Sequence, residues 1–120
     1  DKEGLLMANF VDFDSMYGHR RNAQGYAQCL EDFDAMLGEL FPLLQDDELL
    51  MITSDHGNDP TMSGTDHTRE EVPLVAYSPG LTESTDLGTR KTFADLGQTI
   101  MDNFDAGKLP FGTSFLNELK

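Results

Sequence analysis

The chain's three histidines are His19, His56 and His67, and each stands within a few residues of an aspartate. Imidazole combined with carboxylate suits zinc, manganese or iron, whereas an all-oxygen set would point to magnesium or calcium. Taken singly, a histidine in a small domain is more often structural than a ligand; three placed this way make a metal site the better reading. The ligand set is Asp14, His19, Asp55, His56 and His67. Five ligands are too many for one tetrahedral zinc and too few for two metals that need four or more each. The count therefore points to a two-metal site completed by residues outside this sequence, and two-metal sites commonly serve phosphoryl transfer. Arg20, Arg21 and Arg69 adjoin these ligands. Each is a candidate phosphate contact or support for the ligands, because guanidinium offers a planar fork to oxygen acceptors; a simple ion pair is an equal alternative for each alone.

The flanking elements must bring the two halves of this set together. Gly4 to Val11 is nearly continuous apolar sequence, which predicts a strand buried on both faces. The run ends in Asp12-Phe13-Asp14, and Ser15 to Arg21 has neither helical nor strand periodicity and reads as a loop at that strand's carboxyl end. Asp14 and His19, five apart, do not share an α-helical face but suit a loop wrapped around an ion. From Asn22, a candidate N-cap, the positions Tyr26, Leu30, Phe33, Leu37, Leu40 and Leu44 form one helical stripe expected to pack on a sheet. Pro42 ends or kinks that helix. With the strand Glu48 to Thr53 this makes a βαβ unit, expected to be parallel, so that Asp12 to His19 and Asp55 with His56 meet at one sheet edge. Residues 55–71 read as a long functional loop. Val72 to Tyr77 reads as a third strand with Pro73 near its start. Thr92 then caps a helix whose apolar face carries Phe93, Leu96, Ile100 and Phe104, and Thr113 or Ser114 opens a short helix from Phe115 to Leu119.

Composition narrows the classes of function. At 120 residues, one domain with one modest core is expected. Eight basic and twenty-two acidic residues give a net charge of −14, which repels nucleic acid and anionic membrane surfaces and favours divalent cations. The single cysteine, Cys29, forms no intrachain disulfide and fits a reducing cytoplasm. No apolar run has the length of a membrane span, and Asp1-Lys2-Glu3 opens nothing like a signal peptide. A chain that begins on Asp and enters a buried strand within a few residues reads as a piece of a longer protein.

Three segments together resemble the phosphopentomutase family of the alkaline phosphatase superfamily: Asp-Phe-Asp-x-x-x-Gly-His-Arg-Arg at 12–21, Thr-Ser-Asp-His-Gly-Asn-Asp-Pro-Thr at 53–61, and Asp-His-Thr-Arg-Glu at 66–70. Thr92-Phe93-Ala94-Asp95 and Gly112-x-Ser114-Phe115 extend the resemblance over nearly the whole chain. The Asp-His-Gly unit alone marks the superfamily, while its two continuations are more specific. The resemblance implies an α/β three-layer sandwich with a largely parallel sheet. It implies two manganese ions, with zinc or magnesium as substitutes: Asp14, His19 and His67 would bind one, Asp55 and His56 the other. It further implies interconversion of ribose or deoxyribose 1-phosphate and 5-phosphate, through a sugar bisphosphate activator and a phosphorylated threonine. In the family that threonine, another metal-binding aspartate and the sugar-gripping cap domain precede this segment. Thr53, Thr61, Thr65 and Thr68 do not occupy the nucleophile's motif. Residues 1–120 are therefore expected to be the carboxyl-terminal part of the metal-binding core, inactive alone, with a pentose phosphate and the amino-terminal remainder of the protein as partners. The alternatives are a related enzyme such as cofactor-independent phosphoglycerate mutase, which shares the Asp-His-Gly-Asn unit, and a non-catalytic metal-binding fragment.

Overall fold

A computed structural model describes residues 3–120. The chain divides into two compact units: Asp1–Leu43 with His56–Pro73, and Leu44–Asp55 with Leu74–Lys120.

The first unit is built on helix α1, Ala23–Leu40. Its start follows from Asn22, whose side chain accepts a hydrogen bond from the Gly25 amide at 2.9 Å and satisfies one of the amides the helix leaves open. Its end follows from Pro42, which has no N–H for the α-helical ladder; the chain tightens there into a 3-10 turn, Phe41–Leu43. The apolar stripe meets aromatic neighbours from the preceding segment. Phe13 packs edge-on against Tyr26 and Phe33, and Phe10 against Phe33, with ring centroids 5.1 to 6.0 Å apart. No residue of α1 is buried, and Leu30 is half exposed. This unit holds no strand among its described residues, so the sheet expected under the stripe is absent from it.

Two further expectations are corrected here. Residues 3–10 form no secondary structure, and Leu6 and Met7 are 95% and 84% exposed. Apolar sequence favours a strand only where another strand supplies hydrogen bonds, and the described residues offer none to this segment. The segment from Ser15, expected as loop, lies largely in a π-helix, Phe13–Gly18.

The second unit holds β1, Leu50–Thr53, and β2, Leu74–Tyr77, paired antiparallel with Leu50 opposite Tyr77 and Thr53 opposite Leu74. Both segments were legible as strands, and Pro73 lies just outside the ladder. The described residues form this antiparallel pair and no parallel sheet. The parallel pair expected between Gly4–Val11 and Glu48–Thr53 fails because the first of these segments forms no strand, and β1 and β2 are joined by residues 54–73, which contain no helical crossover and return antiparallel.

Helix α2, Ala94–Asn103, starts where Thr92 accepts from the Ala94 amide at 3.2 Å. Its buried face differs from the apolar one read from spacing. Phe93 and Phe104 are exposed, while Asp95, Gln98 and Thr99 are buried. Burial of these polar groups is tolerated because each is satisfied. The Thr99 hydroxyl donates to the Asp95 carbonyl and accepts from the Phe115 amide, at 2.8 and 3.0 Å. Gln98 Oε1 accepts from the Leu109 amide at 2.8 Å. Asp95 accepts from the Thr113 amide and from Arg90 Nε, each at 2.9 Å, and Arg90 Nη1 reaches Glu118 at 3.0 Å. Arg90 also lies over the ring of the fully buried Phe115. Gly112, at φ +95°, carries the returning chain past the Ala94 carbonyl, where a Cβ would collide. The terminal helix expected from Phe115 shrinks to a 3-10 turn, Leu116–Glu118, with Ser114 Oγ accepting from the Leu116 amide. No helix among the described residues is long and apolar enough to cross a membrane.

Candidate metal centre

The five-residue interval between Asp14 and His19 is explained by the π-helix. Its hydrogen bonds join residues five apart, and the His19 amide donates to the Asp14 carbonyl at 2.9 Å. Both residues therefore stand one above the other on a single face. His19 Nε2 lies 3.3 Å from Asp14 Oδ2. Gly18, buried between them in sequence, lets Asn58 approach so closely that a Cβ would sit 2.6 Å from its Nδ2.

Residues 56–73 supply the other side of the centre. The Thr68 amide donates to the Gly57 carbonyl at 3.0 Å, and the two residues form an isolated antiparallel bridge. The intervening loop is held by Arg21, whose guanidinium donates to the carbonyls of Gly64, Asp59 and Asp66 as well as to Gly18 and to Asn58 Oδ1. The loop's far end is also tied down, with Thr68 Oγ1 taking the Asp59 amide at 2.7 Å and donating to Glu70. His67 is thereby directed inward. Its Nε2 lies 3.2 Å from Asp14 Oδ1 and 3.0 Å from His19 Nε2. His56 stacks on His67 with centroids 3.7 Å apart, and its Nε2 is 4.0 Å from Asp14 Oδ1.

The donor atoms of Asp14, His19 and His67 lie within 4.8 Å of one another. Metal bonds of about 2.0–2.2 Å set neighbouring ligand atoms roughly 3.0–3.5 Å apart in tetrahedral or octahedral sites, the range of the spacings found here. The imidazoles are also oriented for the task. His19 Nδ1 faces the Thr65 carbonyl and His56 Nδ1 the Gly57 carbonyl. A carbonyl only accepts, so each neutral ring carries its proton on Nδ1 and turns a bare Nε2 toward the carboxylate, as ligating histidines do. One carboxylate and neutral imidazoles leave the cluster net negative, and the residues fit a divalent cation.

Asp14 is held below the ordinary carboxylate range. Partial burial pushes it upward, but the hydrogen bond from the Asn58 amide, together with the positive charge that His19, His67 and His56 carry in their protonated forms, outweighs that effect. Asn58 donates Nδ2 to Asp14 Oδ1 at 2.7 Å and offers its oxygen to Arg21 at 2.9 Å, so both ends of the amide have the partner they need.

Of the residues singled out by sequence, four converge: Asp14, His19, His56 and His67. They meet within the first unit through the π-helix and the folded-back loop, where parallel strands had been expected to bring them together. Asp55 falls in the second unit and is exposed. Arg21 has its donors engaged by the carbonyls of Gly18, Asp59, Gly64 and Asp66 and by Asn58 Oδ1. Arg20 is exposed and donates to the Ser15 carbonyl at 3.3 Å, and Arg69 is exposed. Sequence reasoning did not single out Asn58 or Gly18. Asn58 sits inside the Asp-His-Gly-Asn unit, which was the available signal, but its bond to Asp14 joins residues far apart in the chain.

An α/β framework carrying an Asp/His cluster defines a metal-dependent class of protein. Residues 1–108 match the Metalloenzyme superfamily, and the chain belongs to that family. Membership agrees with an alkaline-phosphatase-like fold and with metal-dependent phosphoryl-transfer chemistry.

Proposed function

We propose that the chain is the carboxyl-terminal part of the metal-binding core of a phosphopentomutase, interconverting (deoxy)ribose 1-phosphate and 5-phosphate. The observation that supports the metal-dependent part is the convergence of the Asp14 carboxylate with ring nitrogens of His19 and His67, their ligand atoms within 4.8 Å of one another. The choice of a pentose phosphate rests on the motif continuations at 59–61 and 66–70. In this reading the complete core is a three-layer sandwich with a largely parallel sheet, and the protein works in the cytoplasm.

Asp14, His19 and His67 would hold one ion, and Asp55 with His56 a second, manganese being the reading for both. Bound divalent ions supply charge stabilisation on a transferring phosphoryl group and activation of the attacking oxygen. The residues of this chain do the holding and orienting. Asp14 offers its carboxylate from the π-helix, the Thr65 and Gly57 carbonyls keep the protons of His19 and His56 on the far side of their rings, and Arg21 fixes the loop that carries His67. The phosphorylated threonine and the cap are contributed by the amino-terminal remainder of the protein. A sugar bisphosphate activator completes the cycle.

The test is an assay of the intact parent protein with manganese, offering ribose 1-phosphate, ribose 5-phosphate and, separately, phosphoglycerates. Turnover of the pentose phosphates, abolished by a chelator, is expected. Turnover of phosphoglycerates alone would replace this reading by the phosphoglycerate mutase alternative. The 120-residue chain by itself is expected to turn over neither substrate.

A further inference from the structure

We infer that Arg21 and Asn58 form a positioning relay for the metal centre, setting the Asp14 carboxylate and the His67 loop in place before any ion binds. Their role deepens the proposed function and rests on its metal site.

Three observations lead to the relay. First, the Arg21 side chain addresses five acceptors: the carbonyls of Gly18, Asp59, Gly64 and Asp66, and Asn58 Oδ1. None is a carboxylate, so the guanidinium acts as a fork of donors on backbone rather than as half of an ion pair. Only a planar group with several divergent N–H bonds can gather carbonyls from both ends of one loop. Second, Asn58 transmits this anchoring. With its oxygen held by Arg21, its Nδ2 is fixed toward Asp14 Oδ1 at 2.7 Å. That oxygen is also the one facing His67 Nε2. Third, the backbone has been bent to serve the arrangement. Arg21 adopts φ 51°, a left-handed conformation uncommon for a residue with a Cβ, at the junction between the π-helix and α1. Gly18 leaves the space that Asn58 occupies.

The relay orders one ligand through hydrogen bonding and another through the loop. Without it, an arriving ion would have to organise both, and the ordering cost would reduce affinity. Partners of this kind around a metal site change affinity by about 10- to 100-fold when replaced.

The experiment is calorimetric titration of the protein with manganese, comparing the unsubstituted chain with Arg21→Lys and Asn58→Ala. Cobalt absorption spectra of the three proteins and melting of the metal-free forms accompany it. Lysine keeps the charge at position 21 but not the fork. Both variants are expected to bind manganese about 10- to 100-fold more weakly, and Asn58→Ala to alter the cobalt ligand-field bands. If Arg21→Lys lowers metal-free melting, Asn58→Ala decides the matter alone. Manganese affinity within twofold of the unsubstituted chain in Asn58→Ala, with an unchanged cobalt spectrum, overturns the relay and leaves the metal site standing. No metal binding by the unsubstituted chain overturns the site and the relay together.

Discussion

Two arginines organise the two units in opposite ways. Arg90 meets carboxylates: Asp95 at 2.9 Å and Glu118 at 3.0 Å, with Phe115 beneath it. Asp95 is further satisfied by the Thr113 amide, so its buried carboxylate is paired within the fold. Arg21 meets carbonyls and one amide oxygen, and Asp14, a carboxylate of the same unit, is left to face three imidazoles. The first arrangement neutralises a buried charge in place. The second keeps an anionic centre open and rigid. An aspartate paired with arginine is read as structural, and an aspartate ringed by histidine nitrogens as prepared for a cation.

The comparison can be broken most forcefully at the closed cluster. Phe115→Ala, at the fully buried ring under Arg90, is expected to cost about 4 kcal/mol in denaturant unfolding while leaving manganese affinity unchanged. A parallel loss of metal affinity would mean that the two clusters are not separable. Asp95→Ala leaves the Arg90 charge half-paired and is expected to cost about 3 kcal/mol at neutral pH.

The same residue sharpens the contrast through pH. Burial pushes the Asp95 carboxyl upward, but the Thr113 amide and Arg90 overcome this and hold it below its ordinary value. A depressed folded value means that its stabilisation is complete above the unfolded value, about 3.9, and is lost as pH falls from there through the lower folded value. Melting curves from pH 6 downward should show the gap between the parent and Asp95→Ala narrowing only below about pH 4. A gap that is constant across this range would remove the ion-pair account. The smallest effect is expected at the cap of α1: Asn22→Ala should cost about 1 kcal/mol, measured by thermal unfolding.

The local elements were readable from local chemistry. Asn22 and Pro42 bound α1 because capping and the missing proline donor act within one turn, and Pro73 stands just ahead of β2 for a similar reason. Even the stretch that draws in His56 and His67 was visible, since ligand-type residues in a long aperiodic segment are themselves a signal. The burial of Asp95, Gln98 and Thr99 in place of Phe93 and Phe104 was not. Periodicity identifies which face is apolar, whereas burial of a polar face depends on partners that arrive from Arg90, Leu109, Thr113 and Phe115.

What the sequence by itself determined is therefore part of the inventory: the candidate ligand types, the bounds of α1, the two strand segments that pair and the superfamily to which the motifs belong. Tertiary structure decided how the inventory is joined. It set the antiparallel sense of β1 and β2, left residues 3–10 without a strand partner, wound residues 13–18 into a π-helix that aligns Asp14 with His19, and placed Asn58 between Arg21 and Asp14. The physical reason is the range of the interactions. A cap or a proline acts on neighbours in the chain, but strand pairing, a shared carboxylate and a fork of hydrogen bonds exist only once distant segments meet.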